Sequence, residues 1–211
     1  MDAPVTFSVK PTLAGSHVVL RPFTGADVEA MGPVLADPDV LRLTGSVHTT
    51  AAAYGRSNVL DHATRHWYET RAEQTNRLDL AIIERASDQC VGEAVLNEWQ
   101  AENQSCNFRI LIGPGGRDRG LGSQATRLLL AHAFTATDLY RIELEVYAFN
   151  PRAQHVYERA GFVVEGRRRA AFVFDGQRID AITMAVLRTD WLAQKHHDAR
   201  TAPPPDLGSI R

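Results

Sequence analysis

Short apolar runs alternate with polar segments along the chain, and their spacing predicts both strands and helices. Three neighbouring apolar stretches are separated by short polar turns and lie at 77–85, 90–99 and 105–113. Such a succession predicts an antiparallel meander of three strands. A further stretch, 140–149, alternates Ile142, Leu144 and Val146 with polar residues, which is the period of a strand with two different faces. A short strand is also predicted at 17–23.

Helical spacing and capping residues predict the longer helices. One helix is predicted from 123 to 137, where apolar residues recur every three or four positions. A shorter helix is predicted to begin at Asn150 and Pro151 and to end at Gly161, because these residue types are preferred at those helix ends.

Other local signals complete the prediction. Thr24 or Asp27 is a candidate N-cap of an early helix, and the segment 48–76 is expected to hold one or two helices. Near the C-terminal end, two apolar strands flank Asp175 and Gly176. Both residue types tolerate the positive φ angles of a two-residue turn, so a β-hairpin is predicted there.

Length and composition predict one folded domain. A chain of 211 residues with 44% hydrophobic residues can bury a sizeable core. We expect the domain at 17–192, an N-terminal extension at 1–16 and a mobile C-terminal tail at 193–211. The tail carries too few apolar groups to offset the entropy lost on ordering.

Charge and cysteine usage exclude several classes of protein. A net charge of -2 lacks the basic footprint of a nucleic-acid binder, so nucleic acid is not an expected partner. No segment approaches the ~18 consecutive apolar residues of a membrane span, so we expect a soluble, cytoplasmic protein without membrane contact. Cys90 and Cys106 are too far apart for a CxxC motif and lack a neighbouring His cluster. Reduced thiols and no metal site are expected.

A glycine-rich loop between a predicted strand and a predicted helix is the main candidate for chemistry. It lies within ILIGPGGRDRGLGSQAT, residues 110–126. A helix N-terminus exposes unpaired N–H groups, and glycines allow an anion to approach them, so phosphate is the natural ligand. Arg117 and Arg119 could add guanidinium contacts. The alternative is a tight surface turn with solvated arginines.

Two kinds of phosphate ligand match this loop. Residues 120–125 satisfy the G-x-G-x-x-A pattern of dinucleotide-binding proteins, with Glu143 as the downstream acidic residue. The context differs, since seven residues separate Ile112 from Gly120, and a hairpin rather than further βα repeats ends the domain.

The segment 117–122 instead fits a Q/R-x-x-G-x-G/A loop, and this resembles the GNAT superfamily of acetyl-CoA-dependent N-acetyltransferases. The strand, Asn, short helix, Tyr and Gly-Phe succession at 142–162 is similar to that family as well. The resemblance covers roughly 17–190 and is strongest over 106–162. The opening LRPF and closing DAITMAVL segments resemble the branch that acetylates ribosomal-protein N-termini.

The resemblance implies a fold, a co-substrate and an activity. The fold is of the α/β (α+β) class, with a mixed, mostly antiparallel sheet, flanking helices and a splayed strand pair that binds CoA. The activity is acetyl transfer from acetyl-CoA to a primary amine, with a protein or peptide N-terminus as the favoured acceptor. The alternatives are a small-molecule amine such as an antibiotic, polyamine or metabolite, and a non-catalytic CoA-binding or dinucleotide-binding module. A homodimer is a further expectation.

The resemblance also implies roles for individual residues. The expected CoA-binding residues are Ile110, Leu111, Ile112, Arg117, Asp118, Arg119, Gly120, Leu121, Gly122, Ser123 and Asn150. Glu145 is the candidate base, and Tyr157 is the candidate acid. The alternatives are a solvated strand carboxylate for Glu145, a packing role for Tyr157 and a purely capping role for Asn150.

Further carboxylates follow the strand 90–99. Glu93, Glu98 and Glu102 could line an acceptor pocket for a cationic amine, or they could be solvated. Of these, Glu93 and Glu98 are the candidate substrate-binding residues.

Overall fold

An eight-stranded sheet forms the centre of the protein in a computed structural model that describes the backbone of residues 7–201 and the side chains of residues 7–195. Its strands are β1 (Leu13–Ala14), β2 (Val18–Arg21), β3 (Leu78–Glu84), β4 (Gln89–Gln100), β5 (Ser105–Ile112), β6 (Arg141–Tyr147), β7 (Val163–Phe174) and β8 (Gln177–Leu187). They are ordered β1-β2-β3-β4-β5-β6-β8-β7. Only the β5–β6 pair in this described sheet is parallel. The predicted mixed, mostly antiparallel sheet is confirmed.

Helices cover both faces of the sheet. They are α1 (Gly25–Ala36), α2 (Pro38–Leu43), α3 (Thr50–Ala53), α4 (His62–Glu69), α5 (Leu121–Ala136), α6 (Pro151–Ala160) and α7 (Arg188–Thr201). The main core joins the sheet to α5, α6 and α7, with Leu129 and Trp191 among its buried members. A second core on the opposite face joins Leu111 of β5 to α1, α2 and α4.

The local sequence signals have the expected structural effects. Thr24 is the N-cap of α1 and forms a reciprocal capping box with Asp27. Gly161 ends α6 at φ +103°, a left-handed conformation that suits glycine. Asp175 and Gly176 both have positive φ angles in the β7–β8 turn, so the predicted hairpin is confirmed.

Within the described residues, regular structure continues past both bounds of the predicted domain, 17 and 192. Phe7 is buried in the main core and β1 pairs with β2, so ordered packing begins before residue 17. At the other end, α7 continues to Thr201 and includes the first part of the segment expected to be a mobile tail. Residues 1–6 and 202–211 lie outside the described residues, and mobility of the tail stays a prediction.

The parallel strands β5 and β6 separate from each other partway along their length. They pair over three positions, from Ser105 with Arg141 to Asn107 with Glu143. Beyond these pairs, β5 continues to Ile112 along β4, while β6 continues to Tyr147 along β8. The backbone groups on the facing edges are therefore available to a ligand, as the splayed strand pair predicted.

Candidate active site

A cavity of about 570 Å³ opens where β5 and β6 separate. Its walls come from β5, the start of α5, the end of β6, α6 and α2. The predicted site residues in its lining are Ile110, Leu111, Ile112, Arg117, Asp118, Gly120, Leu121, Gly122, Ser123, Glu145, Asn150 and Tyr157. The residues of the glycine loop and of both strands therefore meet at one site.

The N-terminus of α5 is suited to bind an anion. Gly120 is the N-cap with φ +75°, and no side chain of the described residues caps this helix end. Its first N–H groups also lack intrahelical acceptors and carry the positive end of the helix dipole. A Cβ atom at Gly122 would lie 3.3 Å from Cγ1 of Ile112. A side chain at this position would therefore crowd Ile112 where the helix start and β5 border the cavity.

The two loop arginines contact carboxylates in this structure. Arg117 forms ion pairs with Asp37 and Asp39 and donates from Nε to the carbonyl oxygen of Ile112 at 3.2 Å. These contacts join the loop to the start of α2.

Arg119 lies outside the cavity lining. It pairs with Glu84 and donates to the carbonyl oxygen of Gly115 at 3.0 Å. In this arrangement both guanidinium groups brace the loop. Their contact with phosphate stays a prediction, whereas the backbone N–H groups at the start of α5 have no side-chain acceptor among the described residues.

Tyr157 lies between two phenylalanines beside the cavity. Its ring makes edge-to-face contacts with Phe108 and Phe162, with centroid distances of 6.1 and 5.9 Å. Burial raises the pKa of its phenol to about 12. No hydrogen bond to the hydroxyl occurs within residues 7–195, so the neutral phenol keeps its proton available for donation.

Asn150 combines a capping role with a position in the cavity wall. Its Oδ1 atom accepts a hydrogen bond from the backbone N–H of Ala153 at 3.1 Å, which caps α6. This bond uses the side-chain oxygen alone, and the two hydrogens on Nδ2 remain available to a ligand. The structural role and the predicted binding role are therefore compatible.

Glu145 lies on the face of β6 opposite to the buried residue Leu144. Its side chain is 33% exposed, borders the cavity and forms an ion pair with Arg168 of β7. Tyr147 follows on the same face and also lines the cavity. The candidate base and the candidate acid thus approach the cavity from opposite sides of the sheet, because α6 packs on the face that Leu144 joins.

The three carboxylates in and after β4 lie outside the lining of this cavity, and their role in binding an acceptor stays a prediction. Glu93 lies outside the cavity lining, fully buried, and accepts a hydrogen bond from Nη2 of Arg109 at 2.8 Å. Burial raises its pKa despite this neighbouring charge. Glu98 and Glu102 are exposed near the far end of β4, beyond the positions that face the splayed strands.

Several cavity residues have no signal in the linear sequence. Val40, Leu43 and Thr44 reach the site from α2 and its C-cap, an element that the periodicity did not predict. Arg109 and Tyr147 also line the cavity. Strand alternation does place Tyr147 on the face of Glu145, so this residue could have been found by extending the same argument by two positions.

The described part of the chain has no disulfide, no cluster suited to a metal ion and no membrane-spanning helix. Cys90 and Cys106 are free thiols. Between residues 7 and 195, no group of three His, Cys, Asp or Glu side chains is arranged to hold a metal ion. Across the described helices, none has the length and apolar character needed to cross a membrane.

Comparison with known proteins identifies the class. A family model described as an acetyltransferase (GNAT) domain matches residues 17–163. The spermidine N(1)-acetyltransferase of Escherichia coli (strain K12) is 30% identical in an alignment 149 residues long that covers 65% of this chain and 80% of that protein. The L-amino acid N-acetyltransferase of the same strain is 25% identical over 173 residues, 81% of this chain and 98% of that one.

The fold also resembles a solved structure. Spermidine N-acetyltransferase from Vibrio cholerae, crystallised with CoA and spermine, superposes with a TM-score of 0.71 at 22% identity. The superposition covers 84% of this chain and 99% of the other. Fold, splayed strands and glycine loop define an acyltransferase that uses acetyl-CoA. The chain belongs to the GNAT acetyltransferase family.

Proposed function

We propose that this enzyme transfers the acetyl group of acetyl-CoA to a primary amine of a small molecule, with polyamines as the first class to test. The cavity between β5 and β6, which runs from the uncapped start of α5 to Glu145, carries this proposal. The spermidine N-acetyltransferases among its relatives favour a polyamine over the protein N-terminus that the sequence resemblance favoured.

The residues of the cavity suit binding of CoA. The N–H groups at the start of α5 would bind the pyrophosphate, where negative charge is favoured by the helix dipole. The free edge of β5 would pair with the pantetheine arm in the manner of an added strand. The Nδ2 group of Asn150 is a further donor on the α6 side of the same cavity.

The reaction then needs a base, a polarised carbonyl and an acid. Acetyl-CoA supplies an acetyl group activated as a thioester. Glu145 takes a proton from the acceptor ammonium, so that the neutral nitrogen can attack the carbonyl carbon. N–H groups on the free edge of β5 stabilise the developing negative charge on the carbonyl oxygen. As the C–N bond forms and the C–S bond breaks, Tyr157 donates its proton to the departing sulfur. The nitrogen then loses its second proton, which restores the phenol of Tyr157 through solvent, and Glu145 releases the proton it took to water.

Replacement of Gly122 by valine should weaken CoA binding. The new side chain would meet Ile112 and obstruct the approach to the N–H groups of the first turn. Loss of one charge-assisted hydrogen bond corresponds to a decrease of about ten-fold or more in affinity. Calorimetric titration with CoA measures this decrease, and thermal unfolding checks that the variant is folded.

Gly115→Val is the matched control, since a Cβ atom at Gly115 meets nothing within 4 Å and this residue lies outside the cavity lining. If the folded Gly122→Val protein binds CoA as tightly as this control does, the assignment of the phosphate site is wrong. Preferential binding of NAD over CoA by the unmodified protein would favour the dinucleotide alternative.

A panel of acceptors tests the proposed reaction. We expect free thiol to be released from acetyl-CoA with spermidine or spermine at a rate well above that with peptides bearing free N-termini. L-amino acids belong in the panel because of the relative named above. A faster reaction with peptides would restore the protein N-terminus as acceptor. CoA binding without transfer to any amine would point to a non-catalytic module.

A further inference from the structure

An ion pair across three strands covers the candidate base. Arg168 of β7 contacts the carboxylate of Glu145 in β6, although β8 lies between these two strands. The register of the three strands explains how Arg168 reaches Glu145. Tyr147, Ala181 and Arg168 are aligned across β6, β8 and β7 on the same face of the sheet as Glu145. Because Ala181 is small, the arginine side chain can cross β8 and reach Glu145, which lines the cavity.

A distortion of β7 follows directly after Arg168. Pairing with β8 is irregular between Arg168 and Phe172, and Ala170 has a φ angle of +52°. A left-handed conformation is strained for a residue with a Cβ atom. Asp180 holds this bulge by accepting from the backbone N–H of Ala170 at 2.8 Å and from Arg167 at 3.0 Å. Arg168 is therefore the last residue of β7 that pairs regularly with β8 before the bulge.

The charged residues that line the cavity show why the contact between Arg168 and Glu145 matters for binding of the acceptor. Among the described residues, the carboxylates in the lining are Asp118 and Glu145. Asp118 belongs to the glycine loop and pairs with Arg152 of α6, at the end proposed for CoA. Glu145 is consequently the carboxylate that an acceptor ammonium would approach. Three arginines from the described part of the chain line the cavity: Arg117 and Arg152 at the glycine loop, and Arg109 on β5.

We propose that Arg168 is a specificity-determining residue that occupies the carboxylate of Glu145 until the ammonium group of the acceptor displaces it. This inference rests on the proposed function. When an acceptor with one ammonium group binds, that group replaces the guanidinium of Arg168 at the carboxylate of Glu145, so one cation is exchanged for another. An acceptor with several ammonium groups also brings further positive charge toward Arg168 and Arg109. Arg168 therefore weakens the binding of an acceptor with several ammonium groups more than that of a monoamine, without excluding polyamines as substrates.

The test compares acceptors of increasing charge in the Arg168→Ala protein. We expect KM to fall about two-fold for butylamine and about three- to ten-fold for spermidine, with putrescine between them and kcat little changed. The change for butylamine is that expected for loss of an exposed ion pair. The larger change for spermidine adds the loss of screened repulsion between nearby charges. Arg168→Lys should restore most of the discrimination. Arg109 is less suitable for this test, because its removal would leave the buried Glu93 unpaired.

Arg169→Ala is the matched control, because it removes the same charge from the neighbouring exposed residue in the bulge. An equal decrease in KM for all three amines, the same pattern in Arg169→Ala, or no change in KM would each overturn the proposal. General loss of turnover in Arg168→Ala would overturn it too, since Arg168 would then assist the reaction.

Calorimetric binding of spermidine to the CoA-loaded protein separates this inference from the proposed function. Tighter binding to Arg168→Ala than to Arg169→Ala supports the displacement of Arg168, and equal binding contradicts it. The proposed function fails on a different result, namely the absence of thiol release from acetyl-CoA by the unmodified enzyme with every amine.

Discussion

Replacing Tyr157 by phenylalanine should lower turnover by about 10²-fold while CoA affinity changes little, because general acid catalysis acts mainly in the transition state. Phenylalanine keeps the ring contacts with Phe108 and Phe162, so the packing of α6 should survive. Steady-state release of thiol gives the turnover, and calorimetry gives the affinity. Tyr140→Phe is a control at an exposed tyrosine just before β6.

The pH dependence adds a second check on Tyr157. An acid must be protonated to act, and burial raises the pKa of this phenol to about 12. The protonated fraction is therefore nearly complete below about pH 11, and activity should show no loss from its ionisation between pH 7 and 10. Turnover in Tyr157→Phe equal to that of the unmodified enzyme would make Tyr157 a packing residue.

The parts of the fold that follow from local chemistry could be predicted from the sequence. The capping box at Thr24, the end of α6 at Gly161 and the turn at Asp175 each depend on residues close together in the chain. Strand alternation likewise predicted that Glu145 would lie opposite Leu144. By contrast, α2 is only six residues long and has too few turns to display a helical period.

The parts of the site that depend on distant residues could not be predicted in this way. Arg117 and Arg119 lie in the loop predicted to hold a phosphate, but nothing in the sequence predicted that their carboxylate partners lie at α2 and β3. The contact between Arg168 and Glu145 depends on strand order, since β8 lies between β6 and β7. Neither pairing leaves a pattern in the sequence, because charged residues at such separations are common on any folded chain.

Replacing Glu145 by glutamine should lower turnover by about 10²- to 10⁴-fold if this carboxylate takes the proton of the amine. Glutamine keeps the shape of the side chain and an oxygen that can accept from Arg168, but it has no basicity. The acidic limb of the pH profile of kcat/KM should move or vanish, since that limb reports the base in the free enzyme. Glu143→Gln is the matched control, because Glu143 shares the strand and the face but pairs with Arg141 away from the cavity.

Ionisation of the acceptor itself can produce a similar limb, so the measurement needs two amines of different basicity. A limb set by the enzyme stays at the same pH for both amines, whereas a limb set by the acceptor moves with the pKa of the amine. We expect the unmodified enzyme to give a common limb and Glu145→Gln to lose it. A limb that follows the acceptor and persists in Glu145→Gln would show that the enzyme selects amine that is already neutral. Glu145 would then serve to attract the ammonium, and its loss would raise KM with kcat little changed.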